Sequence, residues 1–236
     1  PRSTPKPSSA ASDVYKRQIR CQSEVVAKGH RLSAGDIGLL ASVGVSKLQC
    51  YRPLTVAFFS TGDELKDPEQ GLEPGQIYNS NRYFLAAKIA ECGAIPLDLG
   101  RCPDDAASTG QFLLQAAEQA DCVITTGGMS VGEEDYVRQQ VETLGCIDFW
   151  KLAIKPGKPV AFGQLQGAAF FGLPGNPVSA YVTFHLLVRP WLLKSMGLAN
   201  LVDIDLASAN LKGYSATANF ERHNRGRRLD FLRGVA

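Results

Sequence analysis

The sequence predicts an α/β domain with a mostly parallel sheet and helices on both faces, and three observations carry that prediction. From residue 54 onward, short apolar or β-branched runs alternate with segments of helical periodicity. The first run, LTVAFFS at 54–60, is almost uninterruptedly apolar, as in a strand covered on both faces. Successive strands also lead into acidic or glycine-rich loops, at the end of an open parallel sheet where ligands bind.

The elements follow in order. After the strand at 54–60 comes a polar loop, then a helix over 80–92, with Ser80 as N-cap and Gly93 as its stop. A strand at 95–99, a helix at 105–120 and a strand at 122–126 continue the alternation, and Gly127-Gly128 closes the last of these. A helix at 135–144 ends at Gly145, and strand-like runs follow at 149–154, 159–162 and 168–172. A long apolar helix over 178–196 closes the unit, with Pro190 as a source of a kink. Upstream, residues 33–43 read as a helix capped by Ser33 and ended by Gly44. Helices between strands imply crossover connections and a parallel sheet.

These boundaries give four expected segments. Residues 1–18 are rich in Pro, Ser and Ala and are expected to be disordered or non-native. Residues 19–50 are expected to end a preceding linking domain, 51–196 to form the α/β domain, and 197–236 to begin a truncated β domain, with 228–233 alternating like a strand. Both ends read as truncations.

Composition narrows the function. The chain has 236 residues, 44% hydrophobic and 20% charged, as an ordinary globular protein does. A net charge of +2 gives no bulk electrostatic case for nucleic acid or a membrane surface, and no apolar run reaches the length of a membrane span. The six cysteines show no CxxC pairing and no histidine at ligand spacing, which suits reduced thiols of a cytoplasmic protein. His30, His185 and His223 read as packing or surface residues, and the basic stretch at 222–228 has no aromatics to stack bases.

The loops after the strands hold the candidate chemistry. They contribute Thr61, Gly62, Asp63 and Glu64 after the first strand, and Asp104 with Asp105 after the second. Gly127, Gly128, Ser130, Gly132 and Asp135 follow the third, and Pro174, Gly175, Asn176, Pro177 and Ser179 follow a late strand. Glycines let a ligand approach the backbone, and a following helix start offers N–H groups to an anion. Asn176 is the expected N-cap there with Pro177 at the first helical position, so the loop reads as a fixed anion cradle. Lys151, Lys155 and Lys158 add cations, Lys151 and Lys155 on one face if the segment is extended. Carboxylates that can hold a divalent metal or move protons, beside groups that hold anionic oxygens, suit a phosphoanhydride. Each feature also has a plainer reading: Asp104, Asp105 and Asp135 as helix-start carboxylates, the glycines as turns, the lysines as a solvated strand face.

Five stretches in order, STGDEL at 60–65, IYNSNR at 77–82, TGGMSVGEEDY at 126–136, KLAIKPGKP at 151–159 and GLPGNPVSA at 172–180, resemble the molybdopterin molybdenumtransferase (MoeA) family, which includes the E domain of gephyrin. GDIGLLASVGV at 35–45 also resembles the family's segment before this domain. The resemblance implies a MogA-like molybdopterin-binding fold and a soluble cytoplasmic enzyme. Its substrates would be adenylylated molybdopterin and molybdate, its cofactor Mg2+, and its assembly a homodimer weakened here by truncation. By position it makes Glu64, Asp104 and Asp135 catalytic carboxylates and Lys151, Lys155 and Lys158 the molybdate-binding cations, and leaves the metal ligands unknown. Pro174 and Pro177 match the prolines framing the anion loop, while Asn79 and Met129 depart from the family's usual Asp and Val. The alternatives are a molybdopterin adenylyltransferase on the same fold and a non-catalytic scaffold fragment.

Overall fold

The computed structural model describes residues 19–20, 22–128, 136–199, 204–205, 210–211 and 228–231. Expected site residues Ser130, Gly132 and Asp135 lie outside the described residues, as do His223 and the expected disordered segment 1–18. The chain divides into two units, one of Pro1–Cys50 with Leu198–Asn200, the other of Tyr51–Gly197 with Leu201–Ala236.

In the first unit, helix α1 (Ala34–Ser42) begins in a capping box. The Ser33 side chain accepts from the Asp36 amide, and the Asp36 carboxylate accepts from the Ser33 amide. His30 Nε2 lies 2.9 Å from the same carboxylate, so this histidine belongs to the cap and not to a catalytic set. These contacts, led by the Ser33 hydroxyl, bring the Asp36 carboxyl down to about 2.

In the second unit, β1 (Thr55–Thr61), β4 (Ile95–Cys102), β5 (Cys122–Thr126) and β9 (Ala168–Leu173) form the parallel core of a six-stranded sheet. Strands β8 (Pro159–Leu165) and β6 (Gly145–Lys151) extend it, giving the order β4-β1-β5-β9-β8-β6. β8 runs antiparallel to both neighbours, so the expected mostly parallel sheet holds with one reversed strand. Two small ribbons flank the sheet: β2 (Leu65–Lys66) beside β3 (Ile77–Tyr78), and β7 (Ile154–Lys155) beside β12 (Leu229–Asp230), the latter from the stretch expected to alternate. β10 (Ile204–Asp205) pairs with β11 (Asn210–Leu211).

The two faces are covered separately. Ala57 and Phe59 of β1, Val123 of β5 and Phe170 of β9 pack with Leu113 and Ala116 of α3 (Ala106–Gln119) and Val137 and Val141 of α4 (Tyr136–Leu144). The alternate positions, among them Val56, Phe58, Ile124 and Phe171, are buried too, and the Phe171 ring meets Trp191 at 5.6 Å. That face carries α2 (Ser80–Glu91), α5 (Pro177–Thr183) and α6 (Arg189–Ser195), with Phe84 of α2 edge-on to Phe184. Burial on both sides explains why the first strand reads as continuously apolar.

Three local expectations need correction. The N-cap of α2 is Asn79, not Ser80: the Asn79 Oδ1 accepts from the Arg82 amide and from the buried Ser60 hydroxyl, two bonds that fix it ahead of its neighbour. The helix expected over 178–196 contains a π-helical turn, Phe184–Val188, whose wider spacing is seen in the Arg189 amide bonding to Phe184 O. Pro190 stands just beyond it, and the missing proline N–H is absorbed by that turn. The lysine segment is not continuously extended, since a bend at Ala153 separates β6 from β7, so strand alternation does not set the relation of Lys151 to Lys155. His185, in the π turn, packs its ring against Tyr181 and Phe184, and burial lowers its basicity. Among the described residues no helix is long and apolar enough to cross a membrane.

Candidate active-site rim

The register of the sheet decides which loops meet. Thr61 is opposite Cys102, Ser60 opposite Thr126, and Thr126 opposite Leu173. The loops after β4, β1, β5 and β9 therefore leave the sheet at one level. β8 enters beside the end of β9, and Lys151 at the end of β6 pairs with Pro159 at the start of β8. Lys151, Lys155 and Lys158, all exposed, thus belong to the same edge. Along this rim Asp104 stands at the β4 end and the lysine segment at the β6 end. At about 4.8 Å per strand, five steps separate them by roughly 24 Å.

At the β1 end the chain turns at Gly62, and the Leu65 amide bonds to Gly62 O. The Glu64 carboxylate folds back over that glycine, so that a Cβ there would lie 2.6 Å from Glu64 Oε2. Asp63 faces Arg101 of the next strand at 3.5 Å, and Arg101 also reaches the Asp63 carbonyl. Asp63 is therefore an ion-pair partner of Arg101 within the rim. Asp104 is exposed. Asp105 is the N-cap of α3, its carboxylate accepting from the Ser108 amide at 2.8 Å, and that bond lowers its carboxyl.

In the middle of the rim the backbone packs tightly. Gly127 has φ +86°, and a Cβ there would lie 2.4 Å from the carbonyl oxygen of Thr61. A Cβ on Gly128 would lie 2.8 Å from the Thr61 hydroxyl and 2.7 Å from Val137. The Thr61 Oγ1 is buried and has no hydrogen-bond partner among the described residues. Beneath these loops the Ser60 hydroxyl lies 2.9 Å from Thr126 Oγ1, a buried pair tying β1 to β5.

At the β9 end Pro174 and Ser179 are buried, while Gly175, Asn176 and Pro177 are exposed. Asn176 caps α5 as expected, with Pro177 in the first turn. The cap consumes the donors that the cradle reading assigned to an anion: Val178 and Ser179 amides bond to Asn176 Oδ1, and the Ala180 amide to Asn176 O. The N–H groups of Gly175 and Asn176 make no hydrogen bond among the described residues. The lysine loop is closed by the Leu152 amide on Lys158 O and rests through Gly157 on Thr183 of α5.

Residues 57–194 match a family model described as a probable molybdopterin binding domain. The chain belongs to that family. In this molybdopterin-binding domain the matched span holds the whole rim, from Thr61 to Ser179. The chain is 43% identical over 89% of its length to the molybdopterin molybdenumtransferase of Haemophilus influenzae, covering 50% of that protein. It is 38% identical over 72% of its length to the molybdopterin molybdenumtransferase of Bacillus subtilis, covering 41% of it. Among solved structures, a molybdopterin biosynthesis moeA protein from Pyrococcus horikosii superposes with a TM-score of 0.68 at 37% identity, over 75% of this chain and 44% of that one. The chain thus spans about half the length of the curated relatives it matches.

Two buried residues of this molybdopterin-binding domain join the rim without having been singled out from the residue pattern. Ser60 ties β1 to β5 and to the cap of α2, and Asn81 donates through Nδ2 to Gly175 O at 2.8 Å. Their signal in the sequence is a polar side chain within or next to an apolar run.

Proposed function

We propose that the protein to which this chain belongs is a molybdopterin molybdenumtransferase of molybdenum cofactor biosynthesis. It takes adenylylated molybdopterin and molybdate, hydrolyses the phosphoanhydride with release of AMP, and places molybdenum on the dithiolene. The observation that carries the reading is the rim: loops of opposite electrostatic character leave one edge of the sheet in register, roughly 24 Å from end to end. No small anion could meet both ends. An elongated substrate, a pterin joined to adenosine through a pyrophosphate, suits that length, and relatives bearing the transferase name support the assignment.

On this reading the flexible ammonium groups of Lys151, Lys155 and Lys158 offset the charge of a tetrahedral dianion without demanding one geometry. Thr61, Gly62, Gly127, Gly128, Gly175 and Asn176 hold the substrate by backbone groups. Pro174, Pro177 and Ser179 shape the loop after β9, Asp63 steadies Arg101, and Ser130 and Gly132 are further substrate-binding residues. Glu64 and Asp104, with Asp135, handle the proton of the attacking water and of the departing phosphate. Among the described residues no three His, Cys, Asp or Glu side chains gather into an all-protein metal site, and Mg2+ is commonly held by one or two carboxylates with substrate phosphates and water, so the Mg2+ implied by the resemblance is assigned no ligand and no step. A cytoplasmic setting accords with the free thiols of Cys50, Cys92, Cys102, Cys122 and Cys146; a homodimer rests on the resemblance alone.

The test is an anaerobic assay with adenylylated molybdopterin, molybdate and magnesium, following AMP by chromatography, in the protein containing this chain. Asp135→Ala is expected to lower AMP release by at least ~10²-fold while the fold persists. Near-normal turnover in that variant removes Asp135 from the mechanism.

A further inference from the structure

We propose that Asn81 is a positioning residue that aims the backbone of the β9–α5 loop at the anionic part of the ligand. The inference rests on the anion-binding reading given above. Asn81 is 7% exposed, and its Nδ2 donates to Gly175 O, a partner 94 residues away, at 2.8 Å. The Gly175–Asn176 peptide is trans and planar, so its C=O and N–H point in opposite directions. Fixing the carbonyl onto buried Asn81 therefore directs the Asn176 N–H away from it, towards the exposed side of the loop. That matters because the cap has already used the amides of Val178, Ser179 and Ala180. Among the described residues the Gly175 and Asn176 N–H groups make no hydrogen bond, and Asn81 sets the direction of the second.

The tether is itself anchored. The first turn of α2 is held to the sheet by Asn79, whose Oδ1 accepts from Ser60, and Ser60 in turn meets Thr126. Two buried amides, two residues apart, thus connect the ends of β1 and β5 to the loop after β9. A purely structural staple would satisfy both ends of the Asn81 amide. Its Oδ1 is instead buried with no partner among the described residues, a cost that a packing residue has no reason to bear.

The experiment is a titration of this chain with molybdate, read by amide NMR and calorimetry, for wild type, Asn81→Ala and Asn81→Asp. The Asp variant keeps the size and removes the donor at neutral pH, so it separates loss of the tether from loss of packing. In wild type the Asn176 amide is expected to shift on adding molybdate. Both variants are expected to lose that shift and to bind roughly tenfold more weakly, as when one hydrogen bond near a charged ligand is removed, while Lys158 still responds. Variants that melt lower but bind as wild type, or that keep the Asn176 shift, overturn the inference alone. A wild type that binds molybdate without any Asn176 shift does the same. No molybdate binding to wild type at all overturns both this inference and the anion-site reading.

Discussion

Gly127 sits where the loop after β5 crosses the end of β1, and the space it leaves is set by a backbone atom. A methyl group there would meet the Thr61 carbonyl at 2.4 Å, and the φ of +86° already disfavours any side chain. Neither strain can be relieved by a rotamer change. Gly127→Ala is expected to destabilise the second unit by about 2 kcal/mol or more. It should also displace the loop from the Thr61 hydroxyl, which a chemical denaturation curve with a parallel ligand titration would register. An unchanged midpoint would mean the two loops are not in contact in solution. At this scale the sequence was informative wherever the partner is near in the chain. Ser33, Asp105 and Asn176 cap helices as their neighbours announce. Ser60 and Asn81 could not be read in that way, because their partners lie 66 and 94 residues off and exist only once the sheet has formed.

Among the elements, α5 is the most dependent on one side chain. Its short first turn has Asn176 Oδ1 bound to two amides. Removing it in Asn176→Ala should cost about 1 kcal/mol and leave those amides without their cap. Thermal melts of the two proteins would measure the loss; a gain in stability would show that the cap is strained. The opposite end of the sheet depends on Asp121. Its carboxylate receives the Arg52 guanidinium and the Thr55 amide, and the Arg52 contact holds it below the usual carboxylate range. A depressed carboxyl stabilises the fold fully above the ordinary value near 4, and that contribution disappears as pH falls through the lowered one. Asp121→Ala is therefore expected to cost about 1 kcal/mol at pH 7, and the gap from wild type should close on acidification below pH 4. A gap independent of pH would assign the loss to packing. Strand and helix order were legible in apolar periodicity. The reversal of β8 was not, because a run such as residues 159–162 looks alike in either direction. The π turn was not legible either, for Pro190 signals a disturbance without saying which form it takes.

At the scale of the whole molecule, the rim is a line and not a point. Carboxylates of the β1 and β4 loops occupy one end and lysines of the β6–β8 segment the other, with glycine backbone between them. That order was foreseeable in part, since loops after parallel strands share an edge. The placement of the lysines at the far end required the antiparallel pairing of β6 with β8. If the rim holds one elongated anionic ligand, changes in its glycine middle and at its lysine end must weaken the same binding event. The decisive measurement is the equilibrium affinity for adenylylated molybdopterin, taken anaerobically on this chain, for wild type, Gly127→Ala and Lys155→Ala/Lys158→Ala. The account predicts measurable binding to wild type, lowered roughly tenfold or more by either change, with lower salt dependence in the lysine variant. Binding that neither change alters would contradict it.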